Sequence, residues 1–258
     1  MPLLRLENLT VTAAGENGVK TILEDVHFEI PALSVTALVG GSGSGKTTAG
    51  LAVLGLLPPS LRVHSGQVIF DREDLMAATP QRMREIRGKE ISMVFQEPLS
   101  AFNPVFSIGR QIEEVLEVHT PLNRRQRQQR VLELLDAVGL PDPKRTSENY
   151  PHQLSGGMRQ RAMIAQAIAA GPKLIIADEP TSSLDVTLQA QIIELFKKLQ
   201  SELKLSILLI THDLGMVEHL ADHIIVMTQG RIAEQGLTRE VLMNPGHAYT
   251  KELMEALG

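Results

Sequence analysis

The 258-residue chain contains no cysteine. Disulfides, thiol nucleophiles and cysteine-based metal sites are therefore excluded, and the composition fits a reducing compartment. Positive charge is not in excess either. Lys and Arg total 25 against 30 Asp and Glu, a formal net charge of −5, so the chain has no global electrostatic footprint for nucleic acid and none is expected as a partner. Long apolar runs are also missing. The longest candidate, Ala49 to Leu57, stops at Pro58-Pro59, far short of the roughly 18 residues a membrane span needs. The N-terminal MPLLRLENLTV reads as a strand and lacks the basic and apolar regions of a signal peptide. The expected location is cytosolic, with membrane contact only through a partner. There is no internal repeat and no low-complexity linker.

Against these absences stand 43% hydrophobic residues, enough for a substantial core, arranged in two recurring patterns. Short apolar runs bounded by turn residues read as strands: Leu4–Val11, Val26–Ile30, Ser34–Val39, Gln67–Phe70, Ile91–Phe95, KLIIAD, SILLIT and HIIVM. A turn is expected at Gly15–Gly18 and a hairpin at QGRIAEQG. Helical patterns fall between them: Lys46 to Leu57, ended by Pro58-Pro59; Pro80 to Arg87; Gly156 to Ala170; Val186 to Leu203, with Ile192, Leu195, Phe196, Leu199 and Leu203 on one stripe; and Leu214 to Ala221. Alternating strands and helices argue for a parallel sheet with helical crossovers. Residues from about 97 to 170 differ, because SIGRQIEEVLEVH and NRRQRQQRVLELLDAVGL are both helical. The expected architecture is one α/β domain spanning 1–258. Its core and an antiparallel β subdomain come from 1–96 and 171–230, a helical subdomain from 97–170, and a C-terminal hairpin and helix from 231–258.

The stretch LVGGSGSGKTTAG, residues 38–50, joins a strand to a helix through Gly40-x-x-x-x-Gly45-Lys46-Thr47. Glycines accept positive φ and let the backbone curl closely round an anion. The N–H groups then face inward, and the following helix presents its positive dipole end. The pattern marks a phosphate-binding loop made of Gly40, Gly41, Ser42, Gly43, Ser44, Gly45, Lys46, Thr47 and Thr48. Lys46 reaches the terminal phosphates and the Thr47 hydroxyl serves as a Mg²⁺ ligand. LIIADEP ends an apolar strand with two carboxylates. In phosphate-loop NTPases the first acid after such a strand holds Mg²⁺, which assigns Asp178; Glu179 beside it is placed to polarise an attacking water. His212 follows the SILLIT strand, and Gly40, Asp178 and His212 all lie just past strand C-termini, where parallel α/β sheets bind ligands.

With LSGGMRQR at 154–161 the sequence resembles the ATP-binding-cassette family. The order of segments agrees: glycine loop, VFQEP with Gln96, signature, LIIADEP, SSLD with Asp185, then His212. The resemblance covers essentially the whole chain. It implies a RecA-like phosphate-loop NTPase core, ATP and Mg²⁺ as ligands, and a nucleotide-sandwich dimer in which Ser155, Gly156 and Gly157 of one subunit cap the γ-phosphate held by the other. It further implies Glu179 as general base, His212 as γ-phosphate contact, Gln96 as the mobile link to Mg²⁺, water and a membrane partner, and Asp185 as a contributor to joining the two sites. One departure is that no aromatic stands near the end of the first strand, where this family usually stacks adenine; only Thr12, Ala13 and Ala14 do.

VFQEPLSAFNP and the terminal NPGHAYTKELMEAL resemble the oligopeptide, dipeptide and nickel importer branch. Peptide-importing members often extend further and carry cysteines, so the end at Gly258 and the missing aromatic put a nickel chelate on equal footing with peptides as cargo. The implied partners are a second, homologous or identical cassette, two multi-span permease subunits and, indirectly, an extracytoplasmic solute-binding protein. The implied location is the cytoplasmic face of the inner membrane. The competing readings are a soluble cassette acting on ribosomes or DNA, and a scaffold that binds ATP without turning it over. His219 and His223, four apart, are expected to point different ways rather than bind metal, and the arginines of NRRQRQQR to form a solvated helix face.

Overall fold

A computed structural model of the chain describes residues 2–15, 18–182 and 184–257. Two compact units emerge, one from Met1–Arg84 with Lys204–Gly258, the other from Glu85–Leu203.

In the first unit, β1 (Pro2–Gly15) pairs antiparallel with β2 (Gly18–Pro31). Glu16 and Asn17, within the expected turn, lie outside the described residues. Leu4, Leu6, Leu9 and Val11 on β1 and Val26, Phe28 and Ile30 on β2 are fully buried, the inward half of a period-two pattern. That period slips at Asn8, whose φ is 51°, and the β1–β2 register shifts between Leu6 and Leu9, as at a bulge. Gly66 of β4 (Leu61–Phe70) approaches the slip so closely that a Cβ there would lie 2.5 Å from the Asn8 carbonyl oxygen. With β5 (Glu73–Asp74) the antiparallel sheet runs β2-β1-β4-β5.

A second set of strands in this unit is centred on β3 (Val35–Val39), which pairs parallel with β8 (Ser206–Thr211) and with β9 (His223–Thr228). All residues of β3 and β8 are buried, which explains their unbroken apolar sequences. The hairpin expected at QGRIAEQG is present: β10 (Arg231–Leu237) pairs antiparallel with β9. Gln229 and Gly230 between them have φ of 47° and 79°, the left-handed pair that suits strand twist in a two-residue turn.

Helix α1 (Lys46–Val53) ends earlier than the sequence suggests. Gly55, at φ 59°, donates to Ala52 O and Leu56 donates to Leu51 O. This Schellman arrangement ends the helix ahead of Pro58. The chain leaves the unit through α2 (Pro80–Ile86). Beyond β8 come α9 (Leu214–Leu220), then α10 (Thr238–Met243) and α11 (Ala248–Leu257) after β10. The sequence predicts only one C-terminal helix. Ala37, Val39, Val217, Ile224, Val226 and Val241 form a core here, with Tyr249 and Leu253 of α11 packed on it.

The second unit holds β6 (Ile91–Val94) paired parallel with β7 (Leu174–Asp178). Between them lie α3 (Pro98–Ala101), α4 (Ile108–His119), α5 (Arg124–Ala137), α6 (Pro143–Glu148) and α7 (Gly156–Ile168), and α8 (Val186–Leu203) follows β7. Ile108, Ile112 and Leu116 on α4 and Val131, Leu134 and Leu135 on α5 are the buried faces, spaced as helical stripes require. Asn123 starts α5 with a reciprocal capping box to Gln126. Among the described residues no helix is long and apolar enough to cross a membrane.

Candidate active site

The phosphate loop leaves the first unit's parallel strands at one end. Val39, the last residue of β3, stands level with Thr211 of β8 and Val226 of β9. Gly40 and the exposed His212 therefore emerge side by side past adjacent strand ends, as the sequence predicts. Three glycines are fixed here by distinct constraints. A Cβ on Gly40 would stand 2.1 Å from the Met227 carbonyl oxygen; one on Gly45 would stand 2.6 Å from Leu23 Cδ2. Gly43 has open space but a φ of 74°, and Gly45 one of 105°, backbone that only glycine adopts without strain.

Lys46 is 6% exposed and folds back over the loop, its Nζ donating to Gly40 O at 2.9 Å and Gly41 O at 3.0 Å. Gly45 occupies the N-cap of α1 and no side chain caps that helix, which also has no acidic residue in its first turn. The first N–H groups of a helix need an acceptor, and its N-terminus favours an anion. Ser44 Oγ is buried with no hydrogen-bond partner among the described residues. An uncapped helix start, an orphaned buried hydroxyl, a lysine and a backbone too crowded for side chains together fit a polyphosphate. Thr47, exposed at the second helical position, adds a hydroxyl oxygen of the kind Mg²⁺ accepts.

Two contacts that the sequence does not reveal hold this loop. The turn residue Gly230 donates its N–H to Ser44 O at 3.0 Å. Gly41 donates its N–H to the Tyr249 hydroxyl at 2.8 Å.

In the second unit, Val94 of β6 is level with Ala177 of β7, so Gln96 and Asp178 follow at matching strand ends. Asp178 is 3% exposed. Glu179 next to it sits at φ 44°, a conformation that costs a non-glycine residue about 1–3 kcal/mol and recurs at functional sites. The Gln96 Nε2 amide donates to Glu179 Oε2 at 3.3 Å. The signature residues open α7: Ser155 is its N-cap and accepts from the Met158 N–H, with Gly156 and Gly157 as the first two helical residues. A Cβ on Gly157 would meet Leu188 of α8 at 3.1 Å, whereas Gly156 has room. Asp185 accepts from the Leu188 N–H at 3.0 Å and so caps α8. Its carboxylate thus has a structural duty that the sequence reading does not anticipate.

His219 Nδ1 lies 2.7 Å from Gly215 O on its own helix, and His223 opens β9. Arg127 of the arginine-rich segment faces Glu113 at 3.5 Å, and Arg130 faces Glu133 at 3.1 Å.

A glycine-lined phosphate loop between a buried parallel strand and an uncapped helix defines a phosphate-loop NTPase. Residues 23–182 match the ABC transporter family. The chain is 45% identical over 256 residues to the peptidoglycan transport ATP-binding protein YejF of Agrobacterium fabrum, covering 99% of this chain and 47% of that one. It is 43% identical over 252 residues to the dipeptide transport ATP-binding protein DppD of Bacillus subtilis, covering 97% and 75%. It thus spans about half the length of the first relative and three quarters of the second. Among solved structures, the ATP-binding cassette MJ0796, a dimer in a post-hydrolysis state bound to ADP and Pi, matches with a TM-score of 0.82 at 28% identity. The match covers 92% of this chain and 99% of that one. The chain belongs to the ABC transporter family, as one of its ATPase cassettes.

Proposed function

We propose that this chain is the ATP-hydrolysing subunit of an importer that takes up peptides. The single observation that carries the ATPase reading is the phosphate loop: an uncapped helix start beside a buried lysine that is held by two loop carbonyls. The peptide reading is supported by the transport function in the name of the DppD relative.

In this reading the loop amides from Ser42 to Thr48 and the Lys46 ammonium grip the β- and γ-phosphates. Thr47, Asp178 and Gln96 are the residues that would hold Mg²⁺, since hard oxygen donors are what that ion selects. When bound, that ion would supply positive charge to the phosphate oxygens. Glu179 takes the proton of the attacking water, and His212 contacts the γ-phosphate. Ser155, Gly156 and Gly157 of a second cassette, identical or homologous, close over the nucleotide, and Asp185 helps join the two sites. The Gln96–Glu179 hydrogen bond lets Gln96 set the orientation of the base. Because Gln96 precedes α3, a shift imposed there by a membrane subunit reaches the catalytic carboxylate directly. The complex includes two membrane-spanning permease subunits, a solute receptor outside the membrane, and this chain at the cytoplasmic face.

The experiment is cargo-dependent ATPase stimulation of the reconstituted complex, with di- and oligopeptides in one arm and Ni²⁺ chelates in the other. Stimulation by peptides is expected. Stimulation by Ni²⁺ chelates alone would replace the cargo, and co-purification with ribosomes in place of membrane proteins would overturn the importer reading.

A further inference from the structure

The hydrogen bond from Gly41 to Tyr249 joins the phosphate loop to a residue 208 positions away in the sequence. It falls on a particular peptide unit. The Gly41 N–H and the Gly40 C=O belong to the same planar amide, and the Gly40 oxygen accepts a hydrogen bond from the Lys46 ammonium. One amide is thus held at both ends, by the Tyr249 hydroxyl at its N–H and by Lys46 at its C=O. Hydrogen bonds aligned through one amide polarise each other.

Tyr249 is itself fixed. Its ring packs on the core formed by β3, β9, α9 and α10. Its backbone N–H donates to His247 Nδ1 at 3.1 Å. The Glu234 carboxylate of β10 accepts from the Gly246 and His247 N–H groups at 2.8 and 3.0 Å. A Cβ on Gly41 would meet the Tyr249 hydroxyl at 3.2 Å, so the glycine permits the approach. The tyrosine also lies beyond residues 23–182, the span matched to the family.

We propose that Tyr249 is a positioning residue for ATP binding: through the Gly40–Gly41 amide it sets where the Lys46 ammonium rests, and so couples the C-terminal segment to nucleotide affinity. This rests on the reading of the loop as the ATP site. The hydroxyl acts through the amide whose carbonyl aims the lysine. With the hydroxyl gone, the amide can rotate and Lys46 loses the fixed Gly40 carbonyl as an acceptor. The loop must then be ordered by the nucleotide itself, which weakens binding.

The test is equilibrium binding of Mg²⁺ and ATP to the full chain, with melting temperature and Gly41 amide hydrogen exchange measured on the same samples. Wild type, Tyr249→Phe, Gly41→Ala, the double variant and Lys46→Ala are compared. Tyr249→Phe keeps the ring and removes only the hydroxyl. It is expected to weaken ATP binding about three- to tenfold, the range of one lost neutral hydrogen bond, with the melting temperature unchanged and Gly41 exchange faster. Gly41→Ala is expected to lose affinity in the same direction, and the double variant to lose no more than the worse single, since both act on one contact. Affinity of Tyr249→Phe within twofold of wild type would overturn the proposal. So would an affinity loss that only tracks a fall in melting temperature with Gly41 exchange unchanged. If wild type binds no ATP, or Lys46→Ala binds as well as wild type, the ATP-site reading itself fails and takes this proposal with it, a result distinct from a normal wild type with an indifferent Tyr249→Phe.

Discussion

Gln96 Nε2 donates to Glu179 Oε2 at 3.3 Å, joining the second residue past β6 to the first residue past β7. The acceptor belongs to a residue held at φ 44°. Position and orientation of this carboxylate are therefore set twice, by a strained backbone and by a neighbouring amide.

If Glu179 is the general base, Glu179→Gln lowers hydrolysis by about 10²–10⁴-fold, the usual contribution of a positioned base, while Mg·ATP still binds and a closed dimer accumulates. Glutamine has a similar backbone preference and size, so the melting temperature stays unchanged. Single-turnover hydrolysis and sizing by light scattering in Mg·ATP check both parts; unchanged hydrolysis removes the assigned base.

Two loop glycines are expected to respond differently to alanine. Gly40→Ala forces a Cβ to 2.1 Å from a backbone carbonyl that cannot move aside, so the loss should reach about 3 kcal/mol or more. Gly43→Ala meets open space and only the left-handed backbone, at φ 74°, a penalty of about 1–2 kcal/mol. Urea unfolding of the two variants gives the comparison; equal losses would mean that contact with Met227 does not constrain the loop.

The clamp at Glu234 carries a pH signature. Burial pushes this carboxyl up, but the hydrogen bonds it accepts, those from Gly246 and His247 among them, outweigh burial and hold it below the usual carboxylate range. A carboxylate lowered in the folded state adds stability above its unfolded pKa, and that stability is lost as pH falls through the folded value. The stability advantage of wild type over Glu234→Gln should be full near neutrality and vanish in acid, below the ordinary carboxylate range. A gap that does not change with pH would contradict the assignment.

Ala13 sits half-exposed on β1 opposite Lys20 of β2 and Leu61 of β4. If the base of ATP rests near this position, Ala13→Tyr supplies a stacking face worth about 1–3 kcal/mol. The dissociation constant for ATP should fall at least about fivefold. Unchanged affinity would place the base elsewhere.

What could be read from the sequence follows from how local each cause is. The phosphate loop, β3 and the start of α1 are consecutive residues whose chemistry and hydropathy agree, and β7 with Asp178 is legible for the same reason. The end of α1 is misread because Gly55 closes the helix before Pro58 can act. Helices α6 and α10 have six residues each, too few for apolar periodicity to show. The positive φ of Glu179 leaves no mark on the letters around it, since glutamate is not a residue that signals such a conformation. The Tyr249 hydroxyl reaches Gly41 only because α11 packs on β3 and β9. Such a contact is a product of tertiary structure and has no local signal. Asp185 shows the reverse case: the letters suggest a role at a dimer site, and the structure adds a helix cap.

Calorimetric titration of the purified chain with ATP, with and without Mg²⁺, tests the nucleotide site most directly. Saturable, magnesium-dependent binding in wild type that disappears in Lys46→Ala is expected. Failure of the wild-type chain to bind ATP, either alone or assembled with its membrane partners, would contradict the assignment of the loop at Gly40–Thr48.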